Sequence, residues 1–276
     1  MKSHVFWILS WLWLVPWHAH AQEITPFQEK FYLQMGYFLP EFDSNTRVDN
    51  RLIERGTDLH LEDRLGLNKT QTLLWGSATW RFAPNHRVQV GLFDFNRHGD
   101  RVINEEIHIG DKVYPIGAEL TTDLKFRVIP ISYMYSFTQD AQFEFAGYIG
   151  LQWSKINFNV AGSITTNPSD FNKNAEADAD APLPVVGVDG NYFFTPQWSV
   201  GGNLGAFIYK LKATGMYYQG TVTTATIDGG YWFSNNVGVG LAVNYFKFDV
   251  DVTKDSWDGK FTYQYWGPQL YLTGRF

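Results

Sequence analysis

Apolar and polar residues alternate one by one over segments of about ten residues in much of this chain, and polar turns bound these segments. In residues 237–245, valine, leucine and tyrosine alternate with glycine, alanine and asparagine. Successive side chains of a β-strand point to opposite faces, so this pattern predicts strands with one apolar and one more polar face. Similar segments start near Val186, Val200 and Ala225. Because a tilted strand of about 10 residues crosses a bilayer, the alternation predicts transmembrane strands.

Phenylalanine repeatedly closes an alternating segment and is followed by a short polar turn. This occurs at Phe82, Phe137, Phe194 and Phe233, and Phe276 ends the chain. Short turns with Pro, Asn and Asp next to an aromatic girdle are typical of the periplasmic rim of outer-membrane barrels. Five descending strands require five ascending ones. We therefore predict an all-β fold, a transmembrane antiparallel up-and-down β-barrel of about ten strands, with eight or twelve as the alternatives.

Residues 1–21 have the features of a secretory signal peptide. Lys2 provides a cationic start, residues 5–17 are apolar, and Ala19 and Ala21 are the small residues before a cleavage site. The alternative is a membrane anchor, but this apolar stretch is shorter than the roughly 20 residues that a spanning helix needs. We expect cleavage after Ala21, which leaves residues 22–276 as one barrel domain with long extracellular loops.

The composition excludes several classes of function. The absence of cysteine excludes disulfide frameworks, thiolate metal sites and cysteine nucleophiles. With 22 Lys+Arg against 28 Asp+Glu, the formal net charge is -6, which argues against nucleic acid as a partner. We predict no cofactor and no metal site.

The alternation assigns a set of charged and amide side chains to the lumen face. The predicted lumen-facing residues are Arg81, Lys125, Arg127, Glu144, Asp189, Asn191, Asn203, Asp228, Asn244, Gln269 and Arg275. The lumen of a small barrel is usually filled by side chains, and opposite charges pair there because an unpaired buried charge is costly. The preferred interpretation is that these charges pair with each other in a filled lumen and have a structural role. The alternative is a narrow or gated polar channel.

The alternation is interrupted at Asp94, beside Pro130 and at Lys155. Proline cannot donate a hydrogen bond to a neighbouring strand, so we expect a β-bulge at Pro130. For Asp94 and Lys155 we expect a position above the bilayer, where both faces of a strand contact water.

Longer polar connections separate the strands at the end opposite the short turns. They are residues 40–70, 97–118, 162–182, 210–217 and 251–260. Within them, we expect a hairpin that extends above the membrane around residues 110–112 and a mobile acidic segment at residues 172–180. Residues 57–67 are either a loop strand or a short helix that plugs the barrel mouth. The acidic side chains at 176, 178 and 180 lack the spacing of a calcium loop, so we expect them to be solvated.

The last strand carries a recognisable pattern. Leu270, Leu272, Gly274 and Phe276 alternate with Tyr271, Thr273 and Arg275. This ending resembles the C-terminal recognition signal of Gram-negative outer-membrane proteins, which the barrel assembly machinery reads. The resemblance implies that this machinery is a partner during biogenesis and that the chain is assembled in the outer membrane.

Three further segments carry a likeness that spans most of the chain. Residues 56–67 (GTDLHLEDRLGL), 80–87 (WRFAPNHR) and 267–272 (GPQLYL) are similar to those of a family of uncharacterised proteobacterial outer-membrane β-barrel proteins. The resemblance implies a fold and a location, the bacterial outer membrane, and carries no reaction or ligand.

The predicted function is that of an integral outer-membrane barrel with outer-membrane lipids as partners. It is either a narrow channel for small solutes or a sealed barrel that presents surface loops, and its solute or ligand is left open. Adhesion or ligand binding through the extracellular loops is the alternative. A weaker alternative is a hydrolase that uses His98 near Asp94 and Asp100 at the outer rim. We predict no enzyme and assign no catalytic residue.

Overall fold

The computed structural model describes residues 27–50, 58–109, 112–163, 172–213, 216–253 and 257–276. The predicted signal peptide, residues 1–21, lies outside the described residues. No helix in the described part of the chain is long and apolar enough to cross a membrane.

Nearly all described residues belong to β-strands. The strands are β1 (Phe31–Phe38), β2 (Glu41–Asn50), β3 (Leu59–His60), β4 (Leu73–Ala83), β5 (His86–Val102), β6 (Ile107–Ile109), β7 (Lys112–Tyr114), β8 (Glu119–Gln139), β9 (Phe143–Ser163), β10 (Asn172–Phe193), β11 (Trp198–Ala213), β12 (Met216–Trp232), β13 (Val237–Thr253) and β14 (Trp257–Arg275), and the single described helix is α1 (Leu61–Arg64).

The main sheet closes on itself as an antiparallel barrel of ten strands. β1 and β2 both pair with β14 and form one wall strand that is interrupted at Leu39 and Pro40. The other nine strands of the wall are β4, β5 and β8 to β14, and the pairing of β1 with β14 closes the barrel. The predicted fold class and the preferred count of ten strands are confirmed.

The short turns lie at one end of the barrel, where the phenylalanine pattern predicts them. β4 and β5, β8 and β9, β10 and β11, and β12 and β13 are each joined there by two to four residues. Phe276 lies at the same end, and its backbone exchanges hydrogen bonds with Phe31 at 2.9 and 3.0 Å. The interfacial phenylalanines Phe82, Phe137, Phe194 and Phe233 are exposed on the outer wall.

An apolar band surrounds the outer wall above these turns. On β9 the outward side chains from Phe143 to Trp153, an eleven-residue span, are apolar or glycine and mostly exposed. The length matches the 9–11 residues of a tilted membrane strand. Outward side chains of this kind also cover β11 and β13, with Leu204 and Leu241 as exposed examples. Exposed leucine at such density is stable only against lipid or another apolar surface.

The interruption of the alternation beside Pro130 has a different cause from the one expected. β8 and β9 keep the same register from Val128 opposite Ser154 to Ile131 opposite Leu151, so there is no bulge at Pro130. That prediction is wrong, and the register shifts instead between Ser136 and Thr138. The ring of Pro130 fits in the wall because the facing strand has glycine at position 91. A Cβ atom at Gly91 would come within 2.9 Å of the ring.

Above the apolar band, the two faces of the wall exchange their polarity. Asp94 and Lys155 stay on the outer face, where the outward side chains become polar. The inner face beside them becomes apolar, with Phe95, Phe126 and Val160 buried in the core. The expectation that both faces contact water is therefore wrong for this part of the barrel. A barrel that extends beyond the bilayer must bury its apolar residues inside, because its outer wall faces water there.

The strands are longer than predicted, and the connections are correspondingly shorter. β5 extends to Val102, and β10 begins at Asn172, so residues 172–180 form part of the wall instead of a mobile loop. The hairpin around residues 110–112 is limited to β6 and β7, and Tyr114 in it is buried in the core. Ile107 of β6 is buried in the core as well, and residues 110 and 111 lie outside the described part of the chain.

Residues 58–67 plug the upper end of the barrel. They form the two-residue strand β3 and the one-turn helix α1, so each of the two predicted alternatives holds for part of the segment. Leu59, Leu61, Leu65 and Leu67 are all buried in the main hydrophobic core. Residues 51–57 lie outside the described part of the chain.

Outer and inner faces of one strand differ in their tolerance of charge, and adjacent residues of β11 test this. Leu204 is exposed in the apolar band, whereas Asn203 lines the lumen. We expect Leu204→Arg to lower the free energy of unfolding in lipid vesicles by about 2–4 kcal/mol, because its cation enters the lipid. Asn203→Arg, opposite Asp189 in register, serves as the control without that lipid penalty. Equal urea midpoints for the two variants would show that the faces are assigned wrongly.

Candidate functional site

The lumen within the apolar band contains a polar cavity of about 300 Å³. Among the predicted lumen-facing residues, those that line it are Glu144, Asp189, Asn191, Asn203, Asp228, Asn244 and Gln269. Arg81 and Arg275 are also buried in the barrel, at the end with the short turns.

Lys125 and Arg127 lie on the outer face, so the prediction that they face the lumen is wrong. On β8 the even-numbered neighbours Leu124, Phe126 and Val128 are buried, which turns the odd-numbered residues outward. The alternation continues through Pro130, and a bulge there would have been needed to turn Arg127 inward. Arg127 instead donates hydrogen bonds from Nε and Nη2 to Asp94 Oδ2 at 3.0 and 2.5 Å. This ion pair is half exposed and lies above the apolar band.

An ionic network closes the cavity toward the short turns. Glu144 is completely buried and accepts hydrogen bonds from Arg81 Nη2 at 2.8 Å and from Ser136 Oγ at 2.6 Å. Its second oxygen lies 3.1 Å from Arg87 Nη1. Arg87 also donates to Asp189 Oδ1 at 3.1 Å. Two arginines and two carboxylates thus neutralise each other across the lumen, as buried charges require.

An aromatic cluster lies beside this network. Phe27, Phe193 and Trp232 form a small separate core, with the rings of Phe27 and Phe193 5.2 Å apart in an edge-to-face arrangement. The Arg275 guanidinium lies 4.2 Å from the Trp232 ring centre, a cation–π contact. The ionic network and this cluster together form the floor of the lumen.

The cavity wall contains polar groups with and without partners. Tyr271 donates to Asp228 Oδ2 at 3.1 Å, and Asn244 donates to Thr226 Oγ1 at 2.9 Å. Four buried donor atoms of lining residues have no hydrogen-bond partner within the described protein. They are Tyr32 Oη, Trp75 Nε1, Arg87 Nε and Gln269 Nε2. Buried donors without partners are rare in folded proteins, so these atoms point to a polar occupant such as water or a ligand group.

A layer of aromatic side chains fills the barrel above the cavity. Its members are at most 4% exposed and are Phe38, Phe95, Phe126, Phe246, Tyr263 and Tyr265. Their rings pack tightly, with centres 4.7 Å apart for Phe126 and Tyr263 and 5.0 Å apart for Phe95 and Tyr265. We call these six residues the aromatic layer. They come from five different wall strands, so contacts between them link the wall across the lumen.

A second buried ion pair lies above the aromatic layer and fixes the plug. Glu62 of α1 accepts a hydrogen bond from Arg97 Nη2 at 2.6 Å and another from the backbone N–H of Ser44 at 3.0 Å. Arg97 also donates to Ser44 Oγ at 3.0 Å. Sequence reasoning missed this pair because it placed Arg97 in a loop. Phe93, Phe95 and Gly99 alternate with polar residues, and this alternation, which puts Arg97 on the same face as the phenylalanines, was the available signal.

His98 lies on the outer wall above the apolar band and contacts two carboxylates. Its Nδ1 is 2.8 Å from Asp123 Oδ1, and its Nε2 is 3.0 Å from Asp100 Oδ2. These hydrogen bonds, first that to Asp123 and then that to Asp100, raise the pKa of His98 above its ordinary value. Asp94 instead pairs with Arg127. With both ring nitrogens bound to carboxylates, the imidazole has no contact with a hydroxyl nucleophile that it could activate.

No group of three or more His, Cys, Asp or Glu residues in the described ranges is arranged to hold a metal ion. Asp178 of the acidic segment accepts a hydrogen bond from Asn157 Nδ2 at 2.5 Å on the neighbouring strand.

Comparisons with known proteins support the fold. The structure is similar to that of the outer membrane protease OmpT from Escherichia coli, with a TM-score of 0.56 and 11% identity, over 89% of this chain and 97% of that one. OprG from Pseudomonas aeruginosa (TM-score 0.36, 10% identity, 90% and 96% coverage) and Ail from Yersinia pestis (TM-score 0.31, 8% identity, 87% and 98% coverage) also match. No family model and no curated protein sequence matches the chain. At this identity, the likeness to OmpT shows a shared barrel fold alone.

The ionic network predicts a large cost for removing its central carboxylate. We expect Glu144→Gln to lower the free energy of unfolding by about 3–5 kcal/mol, because Arg81 and Arg87 would stay buried without this counter-charge. The control is Asp94→Asn, which removes the exposed partner of Arg127 and should cost about 0–1 kcal/mol. Urea titration of the refolded proteins measures both. Similar small losses would mean that the network is hydrated and screened.

The contacts of His98 predict a pH dependence. We expect its titration midpoint, followed by NMR, to lie above 6.5, and Asp123→Asn to lower it. A pKa that is higher in the folded state stabilises the fold fully below the unfolded value and loses this effect as the pH rises through the folded value. The stability difference between wild type and His98→Gln should therefore shrink as the solution becomes alkaline. A midpoint at or below 6.5 would contradict the hydrogen bonds described.

Proposed function

We propose that this protein is an integral barrel of the Gram-negative outer membrane whose lumen is sealed along its axis. It acts through its wall and its extracellular end, and it does not conduct solutes from one side to the other. The observation that carries this proposal is the aromatic layer, whose six buried rings fill the lumen above the polar cavity.

Several features support the location. The apolar outer band has the height of a bilayer, the short turns carry interfacial phenylalanines, and the chain ends in an alternating strand closed by Phe276. We propose that residues 1–21 are a cleaved signal peptide and that the last strand is read by the barrel assembly machinery. The likeness in fold to an outer membrane protease is consistent with this location.

The seal has two parts with different physical properties. The aromatic layer is apolar, so an ion that entered it would lose its hydration without gaining new ligands. The ionic network of the floor is held by hydrogen bonds of 2.6 to 3.1 Å among Arg81, Arg87, Glu144, Ser136 and Asp189. An ion moving along the axis would need both parts to rearrange.

The extracellular end is built as a folded surface. The plug of residues 58–67 and the β6–β7 hairpin pack onto the core, with Leu61, Leu65 and Tyr114 buried. This end can present a defined shape to a partner, which fits the alternative of ligand binding or adhesion through the surface.

A narrow channel is the second candidate, and the polar cavity favours it. Asp189, Asp228 and Asn244 line a chamber of about 300 Å³ that would become part of a conducting path if the aromatic layer moved aside. The two candidates differ in whether the resting protein conducts.

Recording in planar bilayers tests the sealed lumen. Refolded residues 22–276, whose gel mobility changes on boiling as that of folded barrels does, should show no stable conductance steps. The variant Phe126→Ala/Tyr263→Ala removes the closest ring pair of the aromatic layer and should conduct, because a hydrated gap replaces apolar side chains. Phe145→Ala, which removes an outward-facing ring of the apolar band, is the control and should remain silent.

Two results would contradict the proposal. Stable steps from the wild-type protein would show that the lumen is open. A folded double variant that stays silent would show that the aromatic layer is not the barrier. Variants that fail the gel mobility test would be replaced by Phe126→Leu/Tyr263→Leu, which keeps an apolar lumen while reducing its packing.

A further inference from the structure

One seam of the barrel wall lacks backbone pairing over much of its length. β10 and β11 pair only from Val186 opposite Ala206 to Phe193 opposite Ser199. Above this point, β10 remains paired with β9 as far as Asn172, and β11 remains paired with β12 as far as Ala213. Residues 172–185 of β10 and 207–213 of β11 therefore form two neighbouring edges of the wall with no ladder of hydrogen bonds between them. We call the lower part of this gap, residues 182–185 and 207–209, the seam.

Two prolines stand on the β10 edge of the seam. The β9–β10 ladder runs without interruption through Pro182 and Pro184. Residues of an antiparallel strand direct their N–H and C=O groups alternately to the two neighbours, and proline has no N–H. The residues that exchange hydrogen bonds with β9 here are therefore Leu183 and Val185. The backbone of the two prolines faces β11, where it cannot donate to a ladder.

The seam lies at the top of the apolar band. In register on β9, Pro184 is opposite Leu151 and Pro182 is opposite Trp153, both of which are exposed apolar residues of that band. The next residue of β10 on the outer face is Asp180, which is opposite Lys155. The polar region of the outer wall begins at this pair. A backbone N–H left unpaired in hydrocarbon costs several kcal/mol, and proline removes this cost because it has none. At their two positions, the prolines therefore leave no unpaired N–H group on the β10 edge of the seam.

Side chains alone close the seam on the lumen side. Leu183 and Val185 are buried in the core, and Val185 also lines the polar cavity. Across the gap, Ile208 is exposed to the outside, and the ring of Tyr209 lies over Gly220 of β12, on the side of β11 that faces away from β10. A closure made of aliphatic side chains opens more readily than one made of backbone hydrogen bonds. At the seam, side chains such as that of Val185 therefore separate the outer wall from the cavity without a backbone ladder.

We propose that this seam is a lateral port through which a single-chain amphiphile of the outer leaflet, of the fatty-acid class, reaches the lumen. Its alkyl chain would lie against Leu183 and Val185. Its head group carries hydrogen-bond acceptors, which match the unpartnered donors Trp75 Nε1 and Gln269 Nε2 across the cavity. An added β-strand fits less well, since the prolines remove two of the donors that strand addition needs. This inference needs the membrane location of the proposed function but not its sealed axis.

The experiment locks the seam with an engineered disulfide. The variant is Pro184→Cys/Ile208→Cys, whose two positions continue the register of the paired segment across the seam. Because the chain has no cysteine, the two new thiols can pair only with each other within one molecule. The probe is a photoreactive diazirine analogue of palmitate in phosphatidylcholine vesicles, and mass spectrometry maps the labelled residues. We expect labelling at Leu183 and Val185 in the reduced variant and in wild type, and its loss after oxidation.

The matched control is Val188→Cys/Leu204→Cys on the same two strands. These residues face each other in the paired part of the ladder and are both exposed in the apolar band. Its disulfide crosses strands that are already joined, so oxidation should leave labelling at the seam unchanged. If the upper pair does not oxidise because the edges are too far apart, a bis-maleimide that bridges its two thiols closes the port instead.

The outcomes separate this proposal from the sealed lumen. Labelling that persists in the locked protein, or that is confined to outward residues such as Val186 and Ile208, would overturn the port and leave the conductance result untouched. Conductance by wild type together with labelling lost on locking would overturn the sealed axis and support the port.

Discussion

The rest of the structure depends on one constraint, which is that every backbone hydrogen bond within the bilayer must be made inside the protein. A closed antiparallel sheet satisfies this requirement through its ladders, and the pairing of β1 with β14 completes it. Closure gives every wall residue either an outer or an inner position, so the alternation along each strand becomes a choice between lipid and lumen. Where the ladder is missing, at β10 and β11, prolines take the positions that would otherwise leave N–H groups unpaired.

The wall changes its polarity along the barrel axis. Within the apolar band, leucine and valine face outward, while Glu144, Asp189 and Asp228 face the cavity. Above it, Asp94 and Lys155 face outward, and phenylalanines fill the interior. The solvent on the outside differs between the two levels, and the inner face carries the complementary polarity at each level. The aromatic layer is therefore the lower part of a core that stabilises the upper end of the barrel, and its rings fill the lumen as a consequence.

Sequence reasoning was accurate where a local pattern decides the structure. The strands within the apolar band, the phenylalanine turns and the count of ten strands all follow from period-two alternation and turn residues. It was wrong for Lys125 and Arg127, because a proline was interpreted as a bulge while Gly91 on the facing strand provides room for the proline ring. It also treated the upper strands as loops, because an inverted polarity pattern looks irregular when the lipid-facing pattern is expected throughout.

The amino-acid sequence by itself determined that the chain forms a closed barrel with an apolar band of bilayer height, because alternation and turn chemistry act between near neighbours. Only the tertiary structure decided which charges meet in the lumen, that Arg97 pairs with Glu62 of the plug, and that β10 separates from β11. These features depend on contacts between residues far apart in the chain, such as Arg81 with Glu144. Their partners are set by strand register and barrel closure, which no local pattern specifies.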